Sequence, residues 1–166
     1  DKLVSLKLNS ANTGCGIAIG HNRWATHGIK NDTNAHPHLS YDNNFVIVHN
    51  GIIENYNELK QMLIEKMFYF KSQTDTEVIV NLLEYNYKLS ENKDIYEVIK
   101  TTVNMLTGTY GLLIQSLHEP NKLYCVRNGS PLLIGQNEDE VIITSEQSGF
   151  CNKMNNYITL HNDDIC

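Results

Sequence analysis

The 166-residue sequence has no run approaching the roughly 18 consecutive apolar residues that a membrane span needs, so no membrane partner is expected. It has no CxxC pair. Its four cysteines stand singly at 15, 125, 151 and 166, which suits neither a zinc site nor the disulfide framework of a small secreted domain. Buried free thiols in a reducing cytosol are expected instead, and with them a cytoplasmic location. Positive charge is also short: 13 Lys and Arg against 19 Asp and Glu leave a net charge of -6, which repels a phosphate backbone and argues against a nucleic-acid partner. Proline is scarce, three in all, and there is no repeat, low-complexity tract or Pro/Gly-rich linker, so one domain over 1–166 is expected. Asp1-Lys2-Leu3-Val4 is no signal peptide and lacks an initiator methionine, so the chain reads as a piece of a longer one.

What is present is an ordered change of period. Leu3 to Leu8 alternates apolar with polar, as an edge strand does, and Gly16 to Ile19 is a short apolar run. Residues 29–43, rich in Asn, Asp and His, read as loop. Phe45 to Val48 is short, continuous and β-branched, which predicts a buried strand ending at the Asn50-Gly51 turn signal. Tyr56, Leu59, Leu63 and Met67 then share one helical face. Thr74 and Glu77 have capping-box spacing and open a second helix with Val78, Leu82 and Tyr85 inward. Ile95, Val98, Ile99, Val103 and Leu106 mark a third helix. Strands follow at Leu112–Gln115, Leu123–Val126, Leu132–Ile134 and Val141–Thr144. Strands, helices and strands again predict an α+β fold with antiparallel sheets.

Four stretches carry more chemistry than packing requires. Arg23-Trp24-Ala25-Thr26-His27-Gly28 sets a permanent cation beside an aromatic and two hydrogen-bonding side chains. An arginine fork can hold a carboxylate through two parallel bonds, though a surface ion pair beside a half-buried Trp would look the same. His49-Asn50-Gly51 offers an amide next to a glycine N–H, two donors of the kind a developing oxyanion needs, and equally an ordinary Asn-Gly turn. Asp75 in Thr74-Asp75-Thr76-Glu77 could accept from a ligand ammonium group or merely complement a helix dipole. His21, His27, His36, His38 and His49 fall within 29 residues, but their spacings match no metal-ligand pattern, so no metal and no other cofactor is expected.

Read together, these stretches resemble one family. Gly20-His21-Asn22-Arg23-Trp24-Ala25-Thr26-His27-Gly28, Asn34-Ala35-His36-Pro37-His38, His49-Asn50-Gly51-Ile52-Ile53-Glu54-Asn55-Tyr56, Thr74-Asp75-Thr76-Glu77-Val78, Gly108-Thr109-Tyr110-Gly111 and Gly129-Ser130-Pro131-Leu132-Leu133-Ile134-Gly135 follow the order of motifs in the class II glutamine amidotransferases. The Trp-Ala-Thr-His-Gly run and His-Pro-His resemble, within that family, the isomerising glucosamine-fructose-6-phosphate aminotransferases. The resemblance covers about residues 14–150 and implies the N-terminal-nucleophile hydrolase fold, a four-layer αββα sandwich with antiparallel sheets. It implies that Arg23 grips the α-carboxylate of L-glutamine and Asp75 accepts from its α-ammonium. Trp24, Thr26 and His27 would shape the pocket, and the Asn50 side chain and Gly51 N–H would stabilise the oxyanion. Asn22, where the family usually has Thr, is a minor departure.

The resemblance also implies an N-terminal cysteine nucleophile whose own α-amine serves as general base, an amine of pKa about 7.7–8. Cys15 does not fit: it is internal and only eight residues ahead of Arg23, where the family places several dozen. The nucleophile, the first strands of the sandwich and a C-terminal sugar isomerase are therefore expected outside residues 1–166, and this stretch alone is expected to be inactive. In the complete enzyme, a homo-oligomer by resemblance, the ammonia would convert fructose-6-phosphate to glucosamine-6-phosphate. A relative with a phosphoribosyl acceptor, a glutamine-binding module without a nucleophile and a histidine metal-binding protein remain as alternatives.

Overall fold

The computed structural model describes residues 16–22, 29 and 31–166. The expected strand at Leu3–Leu8, together with Cys15, lies outside them. The order of elements is β1 (His38–Leu39), β2 (Phe45–Ile53), α1 (Tyr56–Glu65), α2 (Asp75–Leu89), α3 (Ile95–Val103), β3 (Gly108–Ser116), β4 (Leu123–Asn128), β5 (Leu133–Gln136), β6 (Val141–Thr144) and β7 (Tyr157–Thr159). Strands β1-β2-β3-β4 form one antiparallel sheet, and β6-β5-β7 form a second.

Period-2 alternation divides the first sheet into two faces. Phe45, Ile47 and Ile53 of β2, Leu112 and Ile114 of β3, and Tyr124 and Val126 of β4 are buried against the helices. They meet Val78, Ile79, Leu82 and Leu83 of α2, with Leu59 and Leu63 of α1 and Val98 and Ile99 of α3 in the same core. The opposite face, through Leu113 and Cys125, packs with Leu132, Ile134, Ile143 and Leu160 of the second-sheet region. Each full burial of a Leu or Ile contributes about 1.5–3 kcal/mol, so a slip of β2 by one residue, which exchanges its faces, is strongly disfavoured.

The strand β2 runs further than its sequence suggests. The Asn50-Gly51 pair is no turn; the strand continues through it to Ile53, with Asn50 opposite Gly111 and Gly51 opposite Tyr110 on β3. Pairing along nine residues of β3 overrides the local turn preference. Met67 is also corrected: α1 ends at Glu65, and Met67 is 69% exposed with φ +68, off the buried face. The third helix stops at Val103, and Leu106 packs on the core from beyond it. Strand β7, short and exposed, carried no periodic signal.

The helix α2 is buried for most of its length, including polar positions. Glu84, fully buried, accepts from Ser40 Oγ at 2.6 Å and Asn44 Nδ2 at 2.8 Å. Asn81 Oδ1 accepts from the Tyr41 N–H at 2.8 Å. These bonds satisfy groups whose burial without a partner would cost about 1–3 kcal/mol each, and they fix the 40–44 loop on α2. No helix among the described residues is long and apolar enough to cross a membrane.

Candidate active site

A cavity of about 880 Å³ opens beside the β2–β3 pair and the start of α2. Its walls come from His21 and His36, from His49, Asn50 and Gly51 on β2, and from Asp75 and Thr76 on α2, with residues 143–146 opposite. Of the sequence-based candidates, Asn50, Gly51 and Asp75 are thus brought to one cavity although they come from a strand and a helix. Arg23, Trp24, Thr26 and His27 lie outside the described residues.

The helix start is built by local chemistry. Thr74 is the N-cap of α2, its side chain accepting from the Glu77 N–H at 3.2 Å. The reciprocal half of the capping box is absent, because the Glu77 carboxylate accepts from the Lys71 and Ser72 N–H groups at 2.8 and 2.6 Å and from Ser72 Oγ at 2.6 Å. This holds the 71–74 segment across the helix entrance. Asp75 follows in the first turn, where the helix dipole favours a carboxylate. It is 3% exposed, and Oδ2 accepts from the Ile53 N–H at 3.0 Å. Its second oxygen, Oδ1, lies 4.0 Å from Nδ1 of the buried His49.

Histidines gather around Thr76. Its buried hydroxyl is 2.8 Å from His36 Nε2 and 3.1 Å from His49 Nδ1, and Thr74 Oγ1 is 3.0 Å from His38 Nε2. His21 lies tilted against His36, ring centroids 4.3 Å apart, and places Nε2 2.6 Å from Asn50 Oδ1. Hydroxyl and amide partners, rather than a common point, explain this clustering. Among the described residues no group of three or more His, Cys, Asp or Glu side chains is arranged to hold a metal. The roles of Thr76 and His21 were not read from the sequence; the signal lay only in their adjacency to Asp75 and to the arginine loop.

Gly51 has φ +136, and a Cβ there would stand 2.0 Å from the Thr109 carbonyl oxygen. A side chain at this position would force β2 and β3 apart at the cavity wall. Asn50 and Gly51 therefore present an amide and bare backbone side by side, on a strand locked by its neighbour. A carboxylate from α2 completes the wall. Such a set can hold a small polar molecule by an ammonium group and donate to a polarised carbonyl.

A family model for the glutamine amidotransferase domain matches residues 21–152. The glutamine–fructose-6-phosphate aminotransferase [isomerizing] of Thermococcus kodakarensis is 48% identical over 142 residues, covering 86% of this chain and 23% of that protein. The enzyme of the same name from Vibrio cholerae is 40% identical over 158 residues, covering 95% of this chain and 25% of that one. Among solved structures, the glutamine phosphoribosylpyrophosphate amidotransferase of B. subtilis matches with a TM-score of 0.64 and 30% identity, over 79% of this chain and 28% of its own. This chain spans about a quarter of the length of the curated relatives it matches. Six ordered motifs, a mixed α+β fold shared with solved amidotransferases and the extent of these matches lead to one assignment: the chain belongs to the class II glutamine amidotransferase domain family.

Proposed function

We propose that this chain is the glutaminase part of an isomerising glutamine–fructose-6-phosphate aminotransferase. Glutamine binds in the cavity with its α-ammonium on Asp75 and its α-carboxylate on Arg23. A cysteine thiolate attacks the side-chain carbonyl, and the oxyanion is held by Asn50 Nδ2 and the Gly51 N–H. Collapse to the thioester expels ammonia, and water then releases glutamate. The observation that carries the reading is the joint placement of Asn50, Gly51 and Asp75 on one cavity, with Asp75 fixed by the N–H of Ile53, three residues beyond Asn50. In the complete enzyme the ammonia would aminate fructose-6-phosphate in a separate isomerase domain. The helix layer and two sheets described above would be three layers of a four-layer sandwich. A cytoplasmic homo-oligomer goes with this reading.

The test is glutamine turnover by the complete gene product with and without fructose-6-phosphate. Equal yields of glutamate and glucosamine-6-phosphate are expected, with one adduct of 6-diazo-5-oxonorleucine on an N-terminal cysteine. Glutamine binding without glutamate release would move the binding-module reading forward. The likeness to the B. subtilis structure keeps a phosphoribosyl acceptor as the second reading; turnover coupled to that acceptor rather than the sugar phosphate would select it.

A further inference from the structure

An amide side chain is planar, with a donor at one end and an acceptor at the other, so an oxyanion contact from Asn50 depends on which end faces the cavity. Its hydrogen-bond partner is His21. His21 Nε2 lies 2.6 Å from Asn50 Oδ1. An amide oxygen only accepts, so Nε2 carries the proton and donates. With Oδ1 held toward His21, Nδ2 is the end left for a ligand. Among the described residues the Asn50 side chain makes no other hydrogen bond.

The imidazole is itself held in place. Its ring packs against His36 in a tilted contact at 4.3 Å and 49°, and His36 Nε2 is 2.8 Å from Thr76 Oγ1 at the start of α2. Buried Nδ1 of His21 has no hydrogen-bond partner among the described residues. A proton there would find no acceptor among the described residues, so the Nε2–H tautomer is the one this surrounding favours. The other tautomer would turn a lone pair toward Asn50 and favour the flipped amide, which points Oδ1 at the developing negative charge.

We propose that His21 is a positioning residue that orients the Asn50 amide so that Nδ2 faces the oxyanion. The inference rests on the oxyanion role of Asn50 in the reading above. It makes the donor pre-aimed, so that little reorganisation accompanies charge development.

The test uses the complete gene product and four variants, each first checked by thermal unfolding. His21→Phe keeps a ring packed against His36 and loses the donor; His21→Gln loses the ring and keeps an N–H at about the reach of Nε2. His21→Phe is expected to lower kcat for glutamine hydrolysis about 10–100-fold, with KM for glutamine moved less than about threefold. His21→Gln should recover most of that loss. In an Asn50→Ala background, His21→Phe should cause no further loss, because the group it positions is gone. A packing role predicts the reverse ranking, Phe above Gln, and that ranking overturns the proposal. So do independent, multiplying losses in the double variant. If Asn50→Ala alone leaves kcat unchanged, the oxyanion reading itself fails and His21 has nothing to position. If Asn50→Ala is slow but His21→Phe is not, only the positioning inference falls.

Discussion

Gly51→Ala is the perturbation whose cost follows most directly from the structure. The residue sits at φ +136, a conformation that L side chains rarely adopt and that costs roughly 1–3 kcal/mol for a non-glycine. The added Cβ would stand 2.0 Å from Thr109 O, 2.7 Å from Thr109 C and 2.9 Å from Tyr110 Cα. A carbon–oxygen contact normally closes no nearer than about 3.3 Å, so β3 must recede by roughly 1 Å at this point. All three atoms are backbone, and no rotamer change relieves them. Withdrawal stretches the ladder at the Gly51–Tyr110 and Ile52–Thr109 pairs, each hydrogen bond contributing about 0.5–1.5 kcal/mol net. The expected loss is about 2–6 kcal/mol, which for a domain of this size lowers Tm by roughly 10 °C at mid-range. Since Asn50 rides on the same strand, kcat should fall with it. Calorimetric unfolding and glutamine hydrolysis, measured on the same preparation, check both parts. Gly16→Ala is the control, because a Cβ there meets nothing within 4 Å among the described residues. A Gly51→Ala protein that melts within about 2 °C of the Gly16→Ala control would refute the steric reasoning.

Three further outcomes are expected. Asp75→Asn keeps an oxygen for the Ile53 N–H but removes the charge, so KM for glutamine should rise about 10–100-fold with little change in Tm; an unchanged KM would remove Asp75 from the ammonium site. Arg23→Lys replaces a planar fork with a point charge and should likewise raise KM for glutamine, which steady-state kinetics will show. Burial, with Cys166 adding to it, pushes the Cys125 thiol from an ordinary 9.0 up to about 12. The folded state thus holds this proton more tightly, so its stabilising contribution is complete below pH 9 and is lost as pH rises toward 12. Denaturant titrations of the parent should lose stability across that window more steeply than those of Cys125→Ala, and iodoacetamide at pH 8 should label exposed Cys151 and Cys166 while sparing Cys125.

Much of the fold is legible in the sequence because its periods are clean. Leu59 and Leu63, Val78 and Leu82, and Phe45, Ile47 and Val48 bury as their spacing predicts, with Tyr85 partly buried beside them. The failures have physical causes. Asn50-Gly51 has the local chemistry of a turn, yet nine-residue pairing with β3 keeps it extended, a tertiary term that no window of sequence contains. Met67 continues the helical spacing past the point where Lys66 closes the last turn of α1. The site divides in the same way. That Asn50 and Asp75 are noteworthy can be read from their motifs, but that they meet depends on the Ile53 N–H reaching Asp75 across 22 residues of chain.

The segment Thr74–Glu77 shows why the site gathers where it does. Read along the chain it is a cap followed by acidic residues, and each side chain has a sufficient local explanation. In the fold each of the four is bonded outward to a different partner. Thr74 reaches His38, Asp75 reaches the backbone of β2, Thr76 lies between His36 and His49, and Glu77 gathers the 71–72 backbone. A helix start leaves N–H groups unsatisfied and draws polar side chains to itself. Here the side chains of that first turn hold three surrounding segments at one end of a buried helix, and the cavity lies beside them. At this point short polar bonds between elements add to the apolar packing of α2. The positions that set the geometry of Asn50 and Asp75 include residues, such as Thr76, that carry none of the proposed ligand contacts.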